Sequence, residues 1–186
     1  EPPEINLNLG DDQFLTLGDT AIIEANVNFL SQFIDTIIWS PADIINCGDS
    51  TCMEIGFMTF NTVQVFATVI DINGCTDDDE VIINMRKSRD VFIPNVFSPN
   101  DDGYNDHFTI FTNDQQIQNI PSFKVFNRWG ELMFDATNFE ANVLSNGWDG
   151  YFKGERMNPG VFIYLAEIEF IDGRVELYKG DVTLVR

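Results

Sequence analysis

Histidine occurs once in these 186 residues, cysteine three times, and lysine plus arginine ten times against 30 aspartates and glutamates. The lone His107 has no triad partners in view, and no HExxH, phosphate-binding loop or nucleophile motif is present. A carboxylate pair fit for glycoside hydrolysis means nothing in a chain this rich in acids. The sequence is therefore read as non-enzymatic. The shortage of bases leaves a net charge of −20, a field that repels nucleic acid and anionic lipid and excludes both as partners. Such a charge suits calcium-rich or salty surroundings, and it also serves simply to keep a surface soluble. No apolar run is long enough to span a bilayer. No signal peptide opens the chain. Beginning at EPPEI, it is expected to be a mature protein or a segment cut from a longer one, with any leader upstream of Glu1.

Cys47 and Cys52 flank GDST, a spacing that a short loop bridges if the Cα atoms approach within about 6 Å. A Cys47–Cys52 disulfide is expected, with Cys75 left buried or free, since three cysteines cannot all pair within one molecule. A zinc site is the alternative, but it lacks a fourth ligand.

What the chain does have is apolar matter for real cores: 44% hydrophobic residues, including 17 Phe. Residues 5–9 alternate Ile5, Leu7 and Leu9 with Asn, the period of a half-buried strand. Residues 20–27 and 34–39 read as further strands, the latter carrying Trp39, and 40–53 as a long polar loop. In residues 62–71, Val63, Val65, Ala67 and Val69 share one face. Asn73-Gly74 signals a hairpin with both turn positions at positive φ, and 79–85 returns as its partner strand. Asp77 to Glu80 reads as a solvated hairpin edge that blocks aggregation. Short strands and polar turns without a helical period mean all-β.

Residues 86–90, with three of the ten bases, read as a short linker. Beyond it, 91–93 is a strand limited by Pro94. The segment from Ser98 to Asp106 is the candidate site, because Asn100, Asp102, Asn105 and Asp106 offer hard oxygen ligands around Gly103. It fails the EF-hand template, since the closing Glu position falls on Thr109. Calcium in a looser extracellular loop is one expectation; Asx-turns capping their own backbone are the other. Residues 107–111 read as a strand, 113–121 as polar and turn-rich, and 123–127 and 131–135 as strands around Arg128-Trp129-Gly130. Gly130 is expected at positive φ, with packing the default role for Arg128 and Trp129. Trp148 lies between glycines. Residues 161–171 form the longest apolar strand, with Phe162, Tyr164, Ala166, Ile168 and Phe170 on one face. Residues 174–186 return from a turn at Asp172-Gly173, with an interruption near Lys179-Gly180.

IPNVFSPNDDGYNDHF, FKVFNRWGELMF, NGWDG, PGVFIYLAEIEF and the terminal KGDVTLVR fall in one order over about 91–186. Together they resemble the gliding-motility-associated C-terminal domain, the type B sorting domain of the type IX secretion system. The first half, with GDTAIIEA, IIWSPA and VQVFATVIDINGCTDDDEVII, is similar to PKD- or Ig-like modules. The fold expected is all-β, two tandem immunoglobulin-like β-sandwiches: a spacer over 1–88 and the sorting domain over 89–186.

The resemblance implies export across the outer membrane to the cell surface or medium. The implied partners are the type IX translocon and an outer-membrane β-barrel of the PorP/SprF-like kind, and the implied cargo is a gliding or adhesion protein of the SprB-like sort. Carried onto this sequence, the sorting motifs fall on Pro94, Asn95, Phe97, Pro99, Asn100, Asp102, Gly103, Asn105 and Asp106. They continue on Phe126, Asn127, Arg128, Trp129, Gly130, Trp148, Asp149, Gly150, Pro159, Gly160, Tyr164, Gly180, Thr183 and Arg186. Asp101 departs from the family, which usually has Gly there. The last strand, ending at Arg186, is a candidate handle for a partner. The alternative function is a calcium-dependent extracellular module binding carbohydrate or another surface, with Trp129 and Trp148 stacking on sugar rings if both are exposed.

Overall fold

A computed structural model describes residues 4–28, 30–43, 45 and 52–186. It is all-β, with no α-helix among the described residues. The chain divides into two compact units, Glu1–Ser88 and Arg89–Arg186.

The first unit holds β1 (Leu7–Asn8), β2 (Gln13–Thr16), β3 (Thr20–Glu24), β4 (Asn26–Val27), β5 (Ile34–Ser40), β6 (Glu54–Met58), β7 (Val63–Asp71) and β8 (Thr76–Arg86). One sheet runs β2-β8-β7-β5; β3-β6 and β1-β4 are separate pairs. The alternation read in the sequence puts Val65, Ala67 and Val69 of β7 fully inside, with Val81 and Ile83 of β8. Trp39 on β5 is buried against this core, and its indole N–H donates to the Cys52 carbonyl at 3.0 Å. β2 and β6 carried no signal in the sequence. β2 is held by parallel pairing to β8, from Gln13 opposite Ile83 to Thr16 opposite Arg86.

Two local readings are corrected. In the β7–β8 turn only Gly74 has positive φ. The Gly74 N–H donates to the Asp71 carbonyl, and Asp71 Oδ1 accepts from the amides of Asn73 and Cys75. A buried aspartate therefore fixes the turn with three loop residues where a two-residue turn was expected. Nor is the acidic run a merely solvated edge. Asp77 Oδ2 accepts the Leu7 amide and Asp79 Oδ2 the Leu9 amide, each at 2.8 Å. Alternate residues of a strand share a face, so two carboxylates take the place of a neighbouring strand's carbonyls.

Cys75 is an exposed free thiol and Cys52 is disulfide-bonded. Cys47 lies outside the described residues, and the expected Cys47–Cys52 pairing with it.

The second unit holds β9 (Val91–Phe92), β10 (Val96–Phe97), β11 (Phe111–Thr112), β12 (Ile117–Phe126), β13 (Leu132–Thr137), β14 (Tyr151–Phe152), β15 (Glu155–Arg156), β16 (Gly160–Phe170) and β17 (Val175–Leu184). A five-stranded sheet runs β10-β17-β16-β12-β13. Separate from it are the β9–β11 pair, the β14–β15 hairpin and the bridge between Phe108 and Trp148. Phe162, Ala166, Ile168 and Phe170 of β16 point inward as the period predicts. They meet Phe97, Phe108, Phe123 and Trp148, an aromatic core joined by centroid distances such as 4.7 Å for Trp148–Phe162.

Several boundaries differ from expectation. Residues 107–110 form no strand beyond the Phe108 bridge, and pairing to β9 begins at Phe111. β12 starts at Ile117, inside the segment read as turn-rich, and carries Pro121 where its register to β16 shifts. β17 is not interrupted at Gly180, which pairs with Tyr164; a Cβ there would meet the Tyr164 hydroxyl at 2.8 Å. Arg89 is no linker residue. Its guanidinium packs over the Phe170 ring and binds Asp172 at 2.6 Å.

Candidate functional site

The sorting motifs are built from segments far apart in sequence, and pairing brings them to one end of the second unit. β10 lies parallel to the chain's last strand, with Val96 opposite Thr183 and Phe97 opposite Leu184. Asn95 contributes its carbonyl to the Thr183 amide at 2.8 Å, just beyond Pro94. The Phe97 ring stands 5.3 Å from the Trp148 ring. Trp148 exchanges two backbone hydrogen bonds with Phe108 and donates its indole N–H to the Tyr151 carbonyl. Gly150, at φ 75°, lies under Pro99 and Leu184; a Cβ would sit 2.8 Å from the Pro99 ring. Asp149 caps the turn by accepting the Tyr151 amide. Arg186 donates to the Met157 carbonyl. With Gly180 under Tyr164, these residues do packing and pairing work, and the Trp148 ring is buried.

The loop after β10 is closed by Asp106. Its Oδ1 accepts the amides of Asn100 and Asp101, and its Oδ2 that of Gly103, at 2.8–2.9 Å. Desolvation pushes its carboxyl up, but these three amides outweigh that and hold its pKa below the usual aspartate range. Asn100 Oδ1 accepts the Asp102 amide and Asp102 Oδ1 that of Tyr104, two consecutive Asx-turns. Asn105 and Asp101 take left-handed φ values of 54° and 66°. Asp101 thus adopts the conformation the family's usual Gly favours, and its carboxylate reaches Arg156 at 2.7 Å. The side chains of Asn100, Asp102 and Asp106 thus each bond within the loop. Among the described residues no three His, Cys, Asp or Glu side chains converge where an ion would sit.

Sequence reasoning missed Arg156 and the β14–β15 hairpin that carries it. The two-residue turn Lys153-Gly154 has positive φ at both positions, and lysine gives no left-handed signal.

The β12–β13 turn, like the loop after β10, is an exposed part of the motif set. Asn127 organises it: its Oδ1 accepts the amides of Trp129 and Glu131, its carbonyl accepts that of Gly130, and its amide donates to the Glu131 carbonyl. Gly130 sits at φ 81° as expected. Trp129 is 79% exposed, where packing was the default expectation. The Arg128 guanidinium lies 4.8 Å from the centre of its ring. The two tryptophans of the motifs therefore part: one is core, the other surface.

The fold and this motif arrangement define an immunoglobulin-like β-sandwich protein. The chain belongs to the CHU_C type IX secretion signal domain family, whose model matches residues 91–184. No curated protein matches the chain in sequence. Among solved structures, Sidekick-1 immunoglobulin domains 1–5 align at TM-score 0.52 and 7% identity, over 98% of this chain and 39% of that one. SGBP-B of the Bacteroides ovatus mixed-linkage glucan utilization locus aligns over 100% of this chain and 48% of its own, at 14% identity and TM-score 0.37. Dimeric latent PorU from Porphyromonas gingivalis aligns over 98% and 20%, at 14% identity and TM-score 0.32. The chain thus spans about half the length of the Bacteroides protein it resembles.

Proposed function

We propose that residues 89–186 are a C-terminal export signal of type B, read by an outer-membrane β-barrel of the PorP/SprF-like kind, and that the first unit is an Ig-like spacer behind a gliding or adhesion protein. The observation that carries this reading is the family match over 91–184, which falls on the second compact unit. The kinds of domain present, a secretion signal and an Ig-like sandwich, are non-catalytic. The test is a reporter with a signal peptide placed ahead of the whole chain, in a host with type IX machinery. The reporter is expected at the surface or in the medium when the barrel is present, and in the periplasm when the barrel is deleted or the chain stops at Ser88. A stable fusion that remains periplasmic with the machinery intact would sink the reading.

The alternative, a calcium-dependent binding module, has one favourable observation in the exposed Trp129 ring. The burial of Trp148 removes the second ring it would stack on a sugar. A calcium-induced rise in melting temperature that Asp106→Asn abolishes would support it.

A further inference from the structure

Arg128 and Trp129 hold nothing together. The turn that carries them is fixed by Asn127 and Gly130 through backbone amides, so neither side chain is needed for its shape. An indole 79% exposed at the tip of a rigid turn is costly to keep in water, and it is a residue type that interfaces favour. Arg128 is odd in a second way. The chain has 30 acids and ten bases, yet among the described residues no carboxylate pairs with Arg128. Its guanidinium is spread instead over one face of the Trp129 ring. Arginine stacked this way keeps its in-plane N–H donors free for a carboxylate.

The surface beside the turn continues the pattern. A shallow cleft of ≈ 370 Å³ separates Arg128 and Trp129 from Met157, Asn158 and Pro159. On the outward face of the sheet, Phe126 stands opposite both Leu132 and Ile163. One row further, Val161 is opposite Thr183, which is opposite Val96. Ile163, Val161, Val96 and Leu132 are 49%, 56%, 47% and 38% exposed. Apolar side chains in adjacent rows of one sheet face form a patch, here bordered by the exposed Asp181 opposite Ile163, and a patch of this kind marks an interaction site.

We infer that the Arg128–Trp129 turn, with the apolar face beside it, docks an extended acidic segment of a protein partner, a carboxylate meeting Arg128 and apolar side chains covering Trp129, Val161 and Ile163. Charge complementarity at Arg128 selects this occupant: no carboxylate among the described residues pairs with its guanidinium, which is left to meet an anion from outside. A sugar would find one face of the indole already taken. This inference rests on the export reading, which makes the partner's acidic segment a loop of the outer-membrane barrel.

The test measures binding of the whole chain to the purified barrel in detergent, beside export in the reporter assay. Trp129→Ala and Arg128→Glu are each expected to weaken binding by roughly tenfold or more, with unchanged melting temperature, because the turn keeps its backbone bonds. Reversing the facing carboxylate of the barrel to lysine is expected to restore binding of Arg128→Glu. If the native chain binds and both variants bind equally well, this docking site is wrong while the export reading stands. If the native chain neither binds the barrel nor reaches the surface, both fall. A glycan that binds through Trp129, or a dimer that dissociates on Trp129→Ala, would overturn the acidic partner segment as occupant.

Discussion

Gly150 has two reasons to be glycine. Its φ of 75° is left-handed, and a Cβ would press on Pro99 at 2.8 Å and Leu184 at 3.0 Å. Gly103 shares only the first reason, with φ 86° and open space around it. Gly150→Ala should therefore cost about 2–4 kcal/mol, backbone strain plus overpacking, and Gly103→Ala about 1 kcal/mol. Denaturant melts of the two variants separate these terms. Asp106 makes a different kind of prediction. Its folded pKa is depressed, so the unfolded chain binds the proton more readily and the stabilisation is fully present above the ordinary aspartate pKa of about 4. It should be lost as the pH falls through the lowered folded value. Amide shifts of Gly103 and Asp101 followed by NMR should titrate together, with a midpoint below that of a free aspartate. Independent midpoints would mean that Asp106 does not close the loop. The motif tryptophans look alike in sequence, each beside a glycine. What separates them is long-range: Phe108 pairs with Trp148 across 40 residues and draws it inside, while Trp129 meets only neighbours within its own turn among the described residues.

At the scale of elements, the clearest test lies on β8. Asp77 and Asp79 take the Leu7 and Leu9 amides where a strand would otherwise supply carbonyls. Truncating either to Ala leaves a partly buried N–H without its acceptor and should cost about 1–2 kcal/mol. Asp78→Ala, on the opposite exposed face, should cost under about 0.5 kcal/mol. Equal effects from all three would return the run to a solvated edge. Elements with one buried face were legible in the sequence: β7 and β16 could be read residue by residue because alternation is imposed by the core. Of β12 only the second half was, from Phe123; Gln118, Asn119 and Pro121 carry no strand signal, and pairing to β16 makes the first half a strand. β10 is two residues long, and its partner Thr183–Leu184 lies at the far end of the chain. Periodicity has no means of showing such a pair. The resemblance, by contrast, carried the motif positions without their geometry. It could name Arg128 and Gly150 together, but not separate an exposed guanidinium from a glycine in the packed interior.

For the molecule as a whole, the question is whether two cores make two folding units. One hydrophobic cluster gathers residues from Ile5 to Ile83, including Trp39 and the centre of β7. Apart from Leu17, the other fully buried large side chains, from Phe97 to Leu184, lie in the second unit. Arg89 is the first residue of that second unit and is tied into it by charge. Its guanidinium binds Asp172 at 2.6 Å and lies 3.7 Å from Glu176, over the Phe170 ring. The Arg89 and Asp172 side chains are 9% and 8% exposed. Removing one partner of such a pair leaves a buried charge uncompensated, so Arg89→Ala should cost the second unit about 2–4 kcal/mol, less than a fully buried pair because Glu176 is partly in water. Trp39→Ala should cost the first unit about 3–5 kcal/mol through the cavity it leaves. Calorimetry of the chain should resolve two transitions, with Arg89→Ala lowering one and Trp39→Ala lowering the other. If both substitutions lower one common transition, the two cores unfold as a single cooperative system, and the first unit must then be counted as part of what keeps the export signal folded.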